Sequence, residues 1–245
     1  MRGASISKTG LVRTNNEDQV FCETKEGLFM VADGMGGAVG GEVASAIAVD
    51  VLSQELLAKN SGTDDLAERL RAGFYQANDM IYTKGGSEPA YNGMGTTLTV
   101  LWLKNGKGYI AHVGDSRAYL FRAGQLHLLT EDHSVVGEML REGKITLEQA
   151  KEHPQRHIIT RALGAFVRVD VDILQVTPQA GDGFLLCTDG LSNLVSPEEL
   201  ANAMANHEEP EAILQHMMGL ALERGGTDNI SAVLVWLDDE PEVSA

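Results

Sequence analysis

Basic residues are scarce in this chain of 245 residues, where 19 lysines and arginines face 35 aspartates and glutamates and the formal net charge is −16. Nucleic acids and anionic membrane surfaces bind a basic protein face, so we expect neither as the main partner. The same shortage constrains any phosphorylated substrate. Bound metal ions and a few placed arginines must supply the positive charge that the chain as a whole lacks.

Cysteine and aromatic residues are also sparse, with 2 cysteines and 5% aromatics. Cys22 and Cys187 lie within apolar, strand-like runs, which predicts buried free thiols and fits a cytoplasmic location. Two tryptophans and few other rings offer no platform for stacking bases. No apolar run approaches the roughly 20 residues of a membrane span, and the N-terminus leads into no secretory signal, so we predict neither.

Linkers and repeats are missing as well, and the length suits one domain with an ample core. We therefore predict a single domain over residues 1–245. Residues 131–163 are rich in charge and histidine and form an excursion from the strand-rich blocks, which predicts a flap over a site. The acidic residues 238–245 predict a frayed tail.

Ten apolar runs predict strands, and paired turn residues predict that many of them are antiparallel. The runs are Ser5–Lys8, Val20–Glu23, Leu28–Ala32, Thr96–Leu103, Lys107–Val113, Arg117–Arg122, Gln125–Leu129, Val171–Val176, Phe184–Thr188 and Ile230–Leu237. Asn105-Gly106 fits the two-residue type I′ turn of a hairpin, and Ala123-Gly124 indicates a second hairpin.

The predicted helices come in pairs that flank the strand-rich blocks. They are Glu42–Lys59 with Leu66–Lys84, Pro197–Asn206 with Glu209–Glu223, and two short helices in the flap, Val135–Glu142 and Thr146–His153. Apolar residues in the second helix recur at three- and four-residue steps, as an amphipathic helix requires. This order predicts an α+β fold in which two packed, mainly antiparallel sheets carry helices on their outer faces.

Five aspartates lie at the ends of strand-like runs, mostly beside a glycine: Asp18, Asp33, Asp115, Asp189 and Asp228. Each one alone is typical of a turn. Together they predict an acidic cluster for hard divalent cations. Three carboxylates about 5 Å apart repel one another by about 10 kcal/mol in total at an effective dielectric near 20. A domain's whole stability is roughly 5–15 kcal/mol, so such a cluster must bind cations or take up protons.

Six short motifs occur in an order that resembles the metal-dependent, protein phosphatase 2C-like family in its bacterial form. They span most of the chain: Arg13-Thr14-Asn15-Asn16-Glu17-Asp18, Val31-Ala32-Asp33-Gly34-Met35-Gly36-Gly37, Gly95-Thr96-Thr97, His112-Val113-Gly114-Asp115-Ser116-Arg117, Asp189-Gly190-Leu191 and Gly226-Thr227-Asp228-Asn229-Ile230. Each motif alone is weak, but six in this order are specific.

The resemblance implies a central β-sandwich flanked by helix pairs, in four αββα layers, with Mn²⁺ or Mg²⁺ at one end. It implies that Asp33 bridges two ions, that the Gly34 carbonyl binds one, and that Asp189 and Asp228 bind the other. Asp115, with Asp189, resembles the site of a third, weaker ion in bacterial members.

The resemblance also implies an activity and partners. The activity is hydrolysis of phosphoserine and phosphothreonine in proteins by direct attack of a water or hydroxide that bridges the metals. Glu17 and Asp18 resemble the acidic pair that orients metal-bound waters, and Arg13 fits a grip on the phosphoryl group. We expect a monomer that acts on phosphorylated proteins in signal transduction and opposes a bacterial serine/threonine kinase.

Met35 departs from the eukaryotic pattern, which often has a histidine there as the general acid. Methionine cannot donate a proton. Bacterial relatives commonly have methionine at this position, so the departure leaves the expected activity in place and opens the identity of the general acid. The candidates that remain are His133, His153 and His157 in the flap, or a water.

Two other functions stay open: a phosphatase for a small metabolite, and a catalytically inactive sensor on the same fold. Residues 34–41 are rich in glycine but lack the Lys-Ser/Thr ending of a nucleotide-binding loop. Asp170-Val171-Asp172 resembles the aspartate pair of haloacid-dehalogenase-type phosphatases, but Leu174 stands where threonine or valine is expected. We interpret that pair as part of a strand edge.

Overall fold

The computed structural model of the protein describes residues 1–36, 40–58, 65–206 and 209–238. Within these ranges the strands are β1 Arg2–Lys8, β2 Asp18–Glu23, β3 Leu28–Met35, β4 Gly95–Thr96, β5 Leu98–Lys104, β6 Lys107–Val113, β7 Arg117–Arg122, β8 Gln125–Leu128, β9 Asp172–Val176, β10 Gly183–Cys187 and β11 Ile230–Trp236. The α-helices are α1 Gly40–Leu57, α2 Leu66–Ser87, α3 Val135–Arg141, α4 Leu147–Lys151, α5 Asp189–Ser192, α6 Pro197–Asn206 and α7 Pro210–Glu223.

The strands form two antiparallel sheets. One sheet has the order β1-β11-β10-β7-β8. The other has the order β2-β3-β5-β6-β9, with the short β4 paired to the end of β3. The last strand in the chain, β11, therefore lies between β1 and β10.

Three apolar cores separate four layers, as predicted. Successive side chains of a strand face opposite sides of its sheet. In β3, Phe29 and Val31 accordingly point into the core between the sheets, whereas Leu28 and Met30 pack under α1 and α2. A third core joins the other sheet to α6 and α7. The result is the predicted αββα sandwich.

Both predicted hairpin turns have left-handed backbone conformations. Asn105 and Gly106 have φ values of 54° and 73°, as a type I′ turn requires. Ala123 and Gly124 have φ values of 50° and 78°. Asparagine and glycine adopt this region more readily than other residues do. Ala123 therefore adopts it at a steric cost that arises from its Cβ.

The predicted strand over Thr96–Leu103 is divided in two. β4 pairs with β3 at Gly34 and Met35, whereas β5 pairs with β3 from Leu28 to Val31. At the division, the Thr97 amide donates to the Asp33 carbonyl at 2.9 Å. The break therefore lies where the chain bonds to a predicted metal-binding residue.

The predicted flap, residues 131–163, contains α3 and α4 and is bonded back to the sandwich. The Val135 amide donates to the Ile158 carbonyl at 2.9 Å, and the Thr160 amide donates to the His133 carbonyl at 2.7 Å. Thr96 and Leu163 exchange two backbone hydrogen bonds of 2.9 and 3.1 Å. These bonds fix the returning half of the flap against β4.

One further expectation is wrong, and two others concern residues outside the described ranges. Both thiols are free and Cys187 is buried, but Cys22 is only half-buried because β2 is the edge strand of its sheet. The predicted helix end at Lys59 and the tail from residue 239 lie outside the described ranges. Among the helices within those ranges, none is long and apolar enough to cross a membrane.

Candidate metal centre

The predicted aspartates come together at one end of the sandwich. Asp33 lies near the end of β3, directly across from Asp18 on β2. Asp115 follows β6, Asp189 follows β10 and Asp228 precedes β11. Since the two sheets face each other, the ends of strands from both sheets meet around one cavity.

The cavity has a volume of about 600 Å³, and seven of its fifteen lining residues are aspartate, glutamate or arginine. Its lining residues are Arg13, Glu17, Asp33, Gly34, Met35, Gly36, Thr97, Asp115, Arg156, His157, Ile159, Asp189, Thr227, Asp228 and Asn229. Of the predicted site residues, only Asp18 is missing from this wall. Asp18 is 3% exposed, and its carboxylate accepts a hydrogen bond of 2.9 Å from the Thr188 hydroxyl beneath the cavity.

Burial and mutual repulsion raise the pKa of the buried carboxyl groups of Asp18, Asp33, Asp115 and Asp189. Burial is the main cause at each one. It raises the pKa of Asp33 well above its usual range, with further increases from Asp18 and Asp189. The pKa of Asp18 rises to about 7 and that of Asp115 to about 8. The cluster thus has the electrostatic cost that the sequence predicted for converging aspartates without cations.

Hydrogen bonds to Thr96 and Thr97, at the division between β4 and β5, hold the backbone of Asp33 in place. Its amide donates to the Thr97 hydroxyl at 2.9 Å, and its carbonyl accepts from the Thr96 hydroxyl at 2.9 Å. Thr97 in turn shares a 2.8 Å hydrogen bond with Ser116, next to Asp115. This buried hydroxyl pair links the backbone positions of the two aspartates.

Glycine allows backbone segments to meet closely beside Asp33. A Cβ on Gly34 would lie 2.2 Å from the Gly41 carbonyl oxygen. A Cβ on Gly41, at the start of α1, would lie 2.7 Å from both the Gly34 carbonyl carbon and the Glu17 carboxyl carbon. Only hydrogen fits at either position, so α1 begins directly against the carbonyl predicted to bind metal.

Arg13 lines the cavity and pairs with Asp228, their side chains 2.9 Å apart. Asn229, which has no predicted role beyond its place in a motif, positions the loop that carries Arg13. Its side chain accepts from the Glu17 amide at 2.8 Å and donates to the Asn15 carbonyl at 2.8 Å. The motif Thr227-Asp228-Asn229 was the only indication of this role.

The three flap histidines have different environments. His133 is buried, accepts from the Gly114 amide at 3.0 Å and bonds Asp172 at 3.0 Å. His153 accepts from the Gln155 amide at 3.2 Å and is absent from the cavity wall. His157 lines the same cavity as Asp189. Of the three candidates, the structure brings only His157 to the site.

The carboxylates share one cavity, but their oxygen atoms do not surround a single point. Among the described residues, no group of three or more histidine, cysteine, aspartate or glutamate side chains is arranged to hold a metal ion. Two of the predicted ligands have internal partners instead: Asp228 pairs with Arg13, and Asp189 accepts from Asn193 at 3.1 Å.

The donor chemistry nevertheless fits a hard divalent cation. The cavity offers carboxylate and carbonyl oxygens, which Mg²⁺ and Mn²⁺ prefer. In the described part of the chain, Asp189 Oδ1 and Asp18 Oδ1 are buried without a hydrogen-bond partner. Buried polar atoms without a partner are costly, and a cation in the cavity would satisfy Asp189 Oδ1.

Comparison with known proteins gives a consistent result. The model of the family described as protein phosphatase 2C matches residues 2–235. Serine/threonine protein phosphatase PstP of Mycobacterium tuberculosis is 40% identical over 234 residues, which cover 96% of this chain but 44% of PstP. The chain therefore spans less than half the length of that relative.

Two further similarities cover nearly the full length of both chains. Serine/threonine phosphatase stp of Listeria welshimeri is 39% identical over 232 residues, or 92% of each chain. A crystal structure of the PstP catalytic domain in complex with two manganese ions has a TM-score of 0.88 and 38% identity, and covers 97% of this chain and 98% of that one.

Proposed function

We propose, given that this chain belongs to the protein phosphatase 2C family, that its acidic cavity hydrolyses phosphoserine and phosphothreonine esters in proteins. One observation carries this proposal. Carboxylates from strand ends of both sheets share one cavity with Arg13, so a metal-binding floor and a phosphate-binding cation face the same space.

The carboxylates would hold Mn²⁺ or Mg²⁺. Asp33, the Gly34 carbonyl, Asp189 and Asp228 would bind two core ions, and Asp115 with Asp189 a third, weaker one. Such ions, when bound, polarise the phosphoryl group and lower the pKa of water to about 7. Support comes from the two manganese ions in the PstP catalytic domain and from the unpartnered Asp189 oxygen.

The protein's own side chains bind and orient the substrate. Arg13 would exchange Asp228 for the phosphoryl group, which a guanidinium grips with two parallel hydrogen bonds. Glu17 lines the cavity and would accept a hydrogen bond from the attacking water. Asp18 lies behind the wall and would act through its neighbours, Asp33 and Thr188.

His157 would donate the proton that the departing serine or threonine oxygen needs. Met35 also lines the cavity but has no proton to give. Histidine is the side chain that most often transfers protons in enzyme catalysis. His133 is unsuited because its ring bonds Gly114 and Asp172.

The same proposal includes the cellular context. A phosphatase of this kind would act on phosphorylated proteins in signal transduction and would oppose a serine/threonine kinase. A monomeric state and a cytoplasmic location stay predictions of the sequence.

Release of phosphate from a phosphothreonine peptide tests the proposal. Wild type should turn over only with Mn²⁺ or Mg²⁺, and Asp189→Ala should abolish turnover. Asp170→Ala is the matched control, because Asp170 is exposed and absent from the cavity wall. Equal rates in Asp189→Ala and wild type would contradict the metal site. Turnover of sugar or nucleotide phosphates but not of the peptide would favour a small-metabolite phosphatase.

A further inference from the structure

We infer that Leu11 and Val12, at the rim of the acidic cavity, bind an apolar side chain that flanks the phosphorylated serine or threonine of the substrate protein. This inference rests on the proposed function and deepens it, because it adds a preference for the residues around the phosphate. The occupant is an aliphatic residue, such as leucine or valine, in the same polypeptide as the phosphorylated residue.

Two apolar side chains are exposed directly before the arginine that would hold the phosphoryl group. Leu11 is 67% exposed and Val12 is 65% exposed. Arg13, the next residue, lines the cavity. Single apolar residues scattered over a surface are normal, whereas an apolar patch rimmed by polar residues indicates a binding site. Leu11 and Val12 form a small patch of this kind at the edge of the cavity.

The loop that carries the patch is fixed against the wall of the cavity. The Leu11 amide donates to the Gly226 carbonyl at 2.8 Å. One residue earlier, Gly10 has a φ of 79°, and a Cβ there would lie 2.1 Å from the Asp228 carbonyl oxygen. The loop therefore packs backbone to backbone against the segment that delivers Asp228, which keeps Leu11 and Val12 at the rim.

The Leu11 side chain also contacts this segment. A Cβ on Gly226 would lie 3.2 Å from Leu11 Cγ, so the leucine side chain packs beside the Gly226 backbone. The following residue, Thr227, lines the cavity. The apolar surface of Leu11 is thus continuous with the cavity wall, and the molecule that fills the cavity is the partner placed to cover it.

A polypeptide whose phosphoryl group is bound by Arg13 has side chains within reach of the patch. An extended chain advances about 3.3–3.6 Å per residue, so the Cα atoms of Leu11 and Arg13 are at most roughly 7 Å apart. The same distance separates a phosphorylated residue from one two positions away in an extended substrate. A small phosphorylated metabolite has no such flanking side chain, so the patch suits a protein substrate.

The test measures selectivity between two substrates of one enzyme. Phosphothreonine peptides carry one leucine at any of the four positions within two residues of the phosphothreonine, and reference peptides carry asparagine, which is similar in size, at that position. With Mn²⁺, wild type should hydrolyse at least one leucine peptide with a kcat/KM about tenfold above that of its reference, the lower end of hydrophobic discrimination. The double variant Leu11→Ser/Val12→Ser should reduce that ratio to about one to two.

The matched control is the double variant Phe166→Ser/Val167→Ser. These residues are also adjacent and exposed, by 62% and 69%, and they are absent from the cavity wall. The control should keep the wild-type ratio. Because the ratio compares two substrates of the same variant, any common effect on metal binding or on the chemical step cancels.

Three results would overturn the role of the patch and leave the proposed function intact. They are equal kcat/KM for leucine and asparagine peptides at all four positions in wild type, a ratio that Leu11→Ser/Val12→Ser leaves unchanged, and a ratio that falls equally in the control. Absence of turnover of every peptide by wild type would instead refute the proposed function and this inference with it.

Discussion

At the scale of single residues, charged side chains of the site bond each other and can exchange these internal partners for substrate or metal. Arg13 and Asp228 bond each other across 215 positions of sequence, yet each has a proposed partner outside the protein, phosphate for one and metal for the other. More than half of the Arg13 side chain is exposed, so breaking this ion pair costs little. His157 and Arg156 line the same cavity from the flap.

The role of His157 as proton donor predicts a dependence on the leaving group. His157→Gln should slow hydrolysis of a phosphothreonine peptide by about a hundredfold or more, because its alkoxide must be protonated as it leaves. Hydrolysis of p-nitrophenyl phosphate, whose leaving group is stable without a proton, should change much less. His153→Gln is the control, since His153 is absent from the cavity wall. Equal slowing of both substrates would contradict the assignment.

At the scale of elements, the metal centre depends on where α1 begins. The first residues of α1 lie against Gly34 and Glu17 so closely that Gly41 has no room for a Cβ. Alanine normally stabilises a helix by about 1 kcal/mol relative to glycine. Here the close approach reverses that preference, because the added atom would displace the Gly34 carbonyl or the Glu17 side chain.

Gly41→Ala should therefore destabilise the protein by roughly 1–3 kcal/mol, as overpacking does, and weaken Mn²⁺ binding. Thermal denaturation and calorimetry measure the two effects. Gly219→Ala in α7 is the matched control, since a Cβ there meets no atom within 4 Å. That control should be slightly stabilised and bind Mn²⁺ as wild type does. A stabilised Gly41→Ala with unchanged Mn²⁺ affinity would contradict the close approach of α1 to Gly34 and Glu17.

At the scale of the whole molecule, folding brings negatively charged carboxylates together. Their mutual repulsion is relieved only by cations or protons taken up from solution. Two sheets with three apolar cores hold strand ends in place, and those ends carry the carboxylates of Asp33, Asp115, Asp189 and Asp228. The pKa values of Asp33, Asp115 and Asp189 are raised by burial and by repulsion between the carboxylates. The folded protein without metal thus binds more protons than the unfolded chain in the range where these groups titrate.

The metal-free protein should consequently lose stability as pH rises from about 4 to about 8. Over that range the unfolded chain has released protons that Asp18 and Asp115, with pKa about 7 and about 8, still hold when folded. Saturating Mn²⁺ should remove this slope and add about 3 kcal/mol near pH 8 at a hundred times Kd, or about 5–10 °C in Tm. Denaturation scans with Mn²⁺ and with EDTA measure both effects. A metal-free Tm that rises steadily with pH would contradict the clustered charges.

Local patterns in the sequence predicted most of the fold. Alternating apolar runs and the Asn105-Gly106 turn identified strands and a hairpin, because period and turn chemistry depend on neighbouring residues only. The departures lie where distant residues intervene. The division at Thr97 exists because Thr97 bonds Asp33, and Asp189 begins the short helix α5 where a strand end was predicted.

The sequence by itself determined the layered α+β fold, the oxygen-rich donors for a hard cation and the need for a counter-charge, since these follow from composition, period and the order of motifs. The tertiary structure decided which flap histidine lines the cavity, that Arg156 also lines it, and that Asn229 positions the loop of Arg13. Those facts depend on contacts between segments up to about two hundred residues apart, such as that between Glu17 and Asn229. No local pattern encodes such contacts, because they arise only when the two sheets pack.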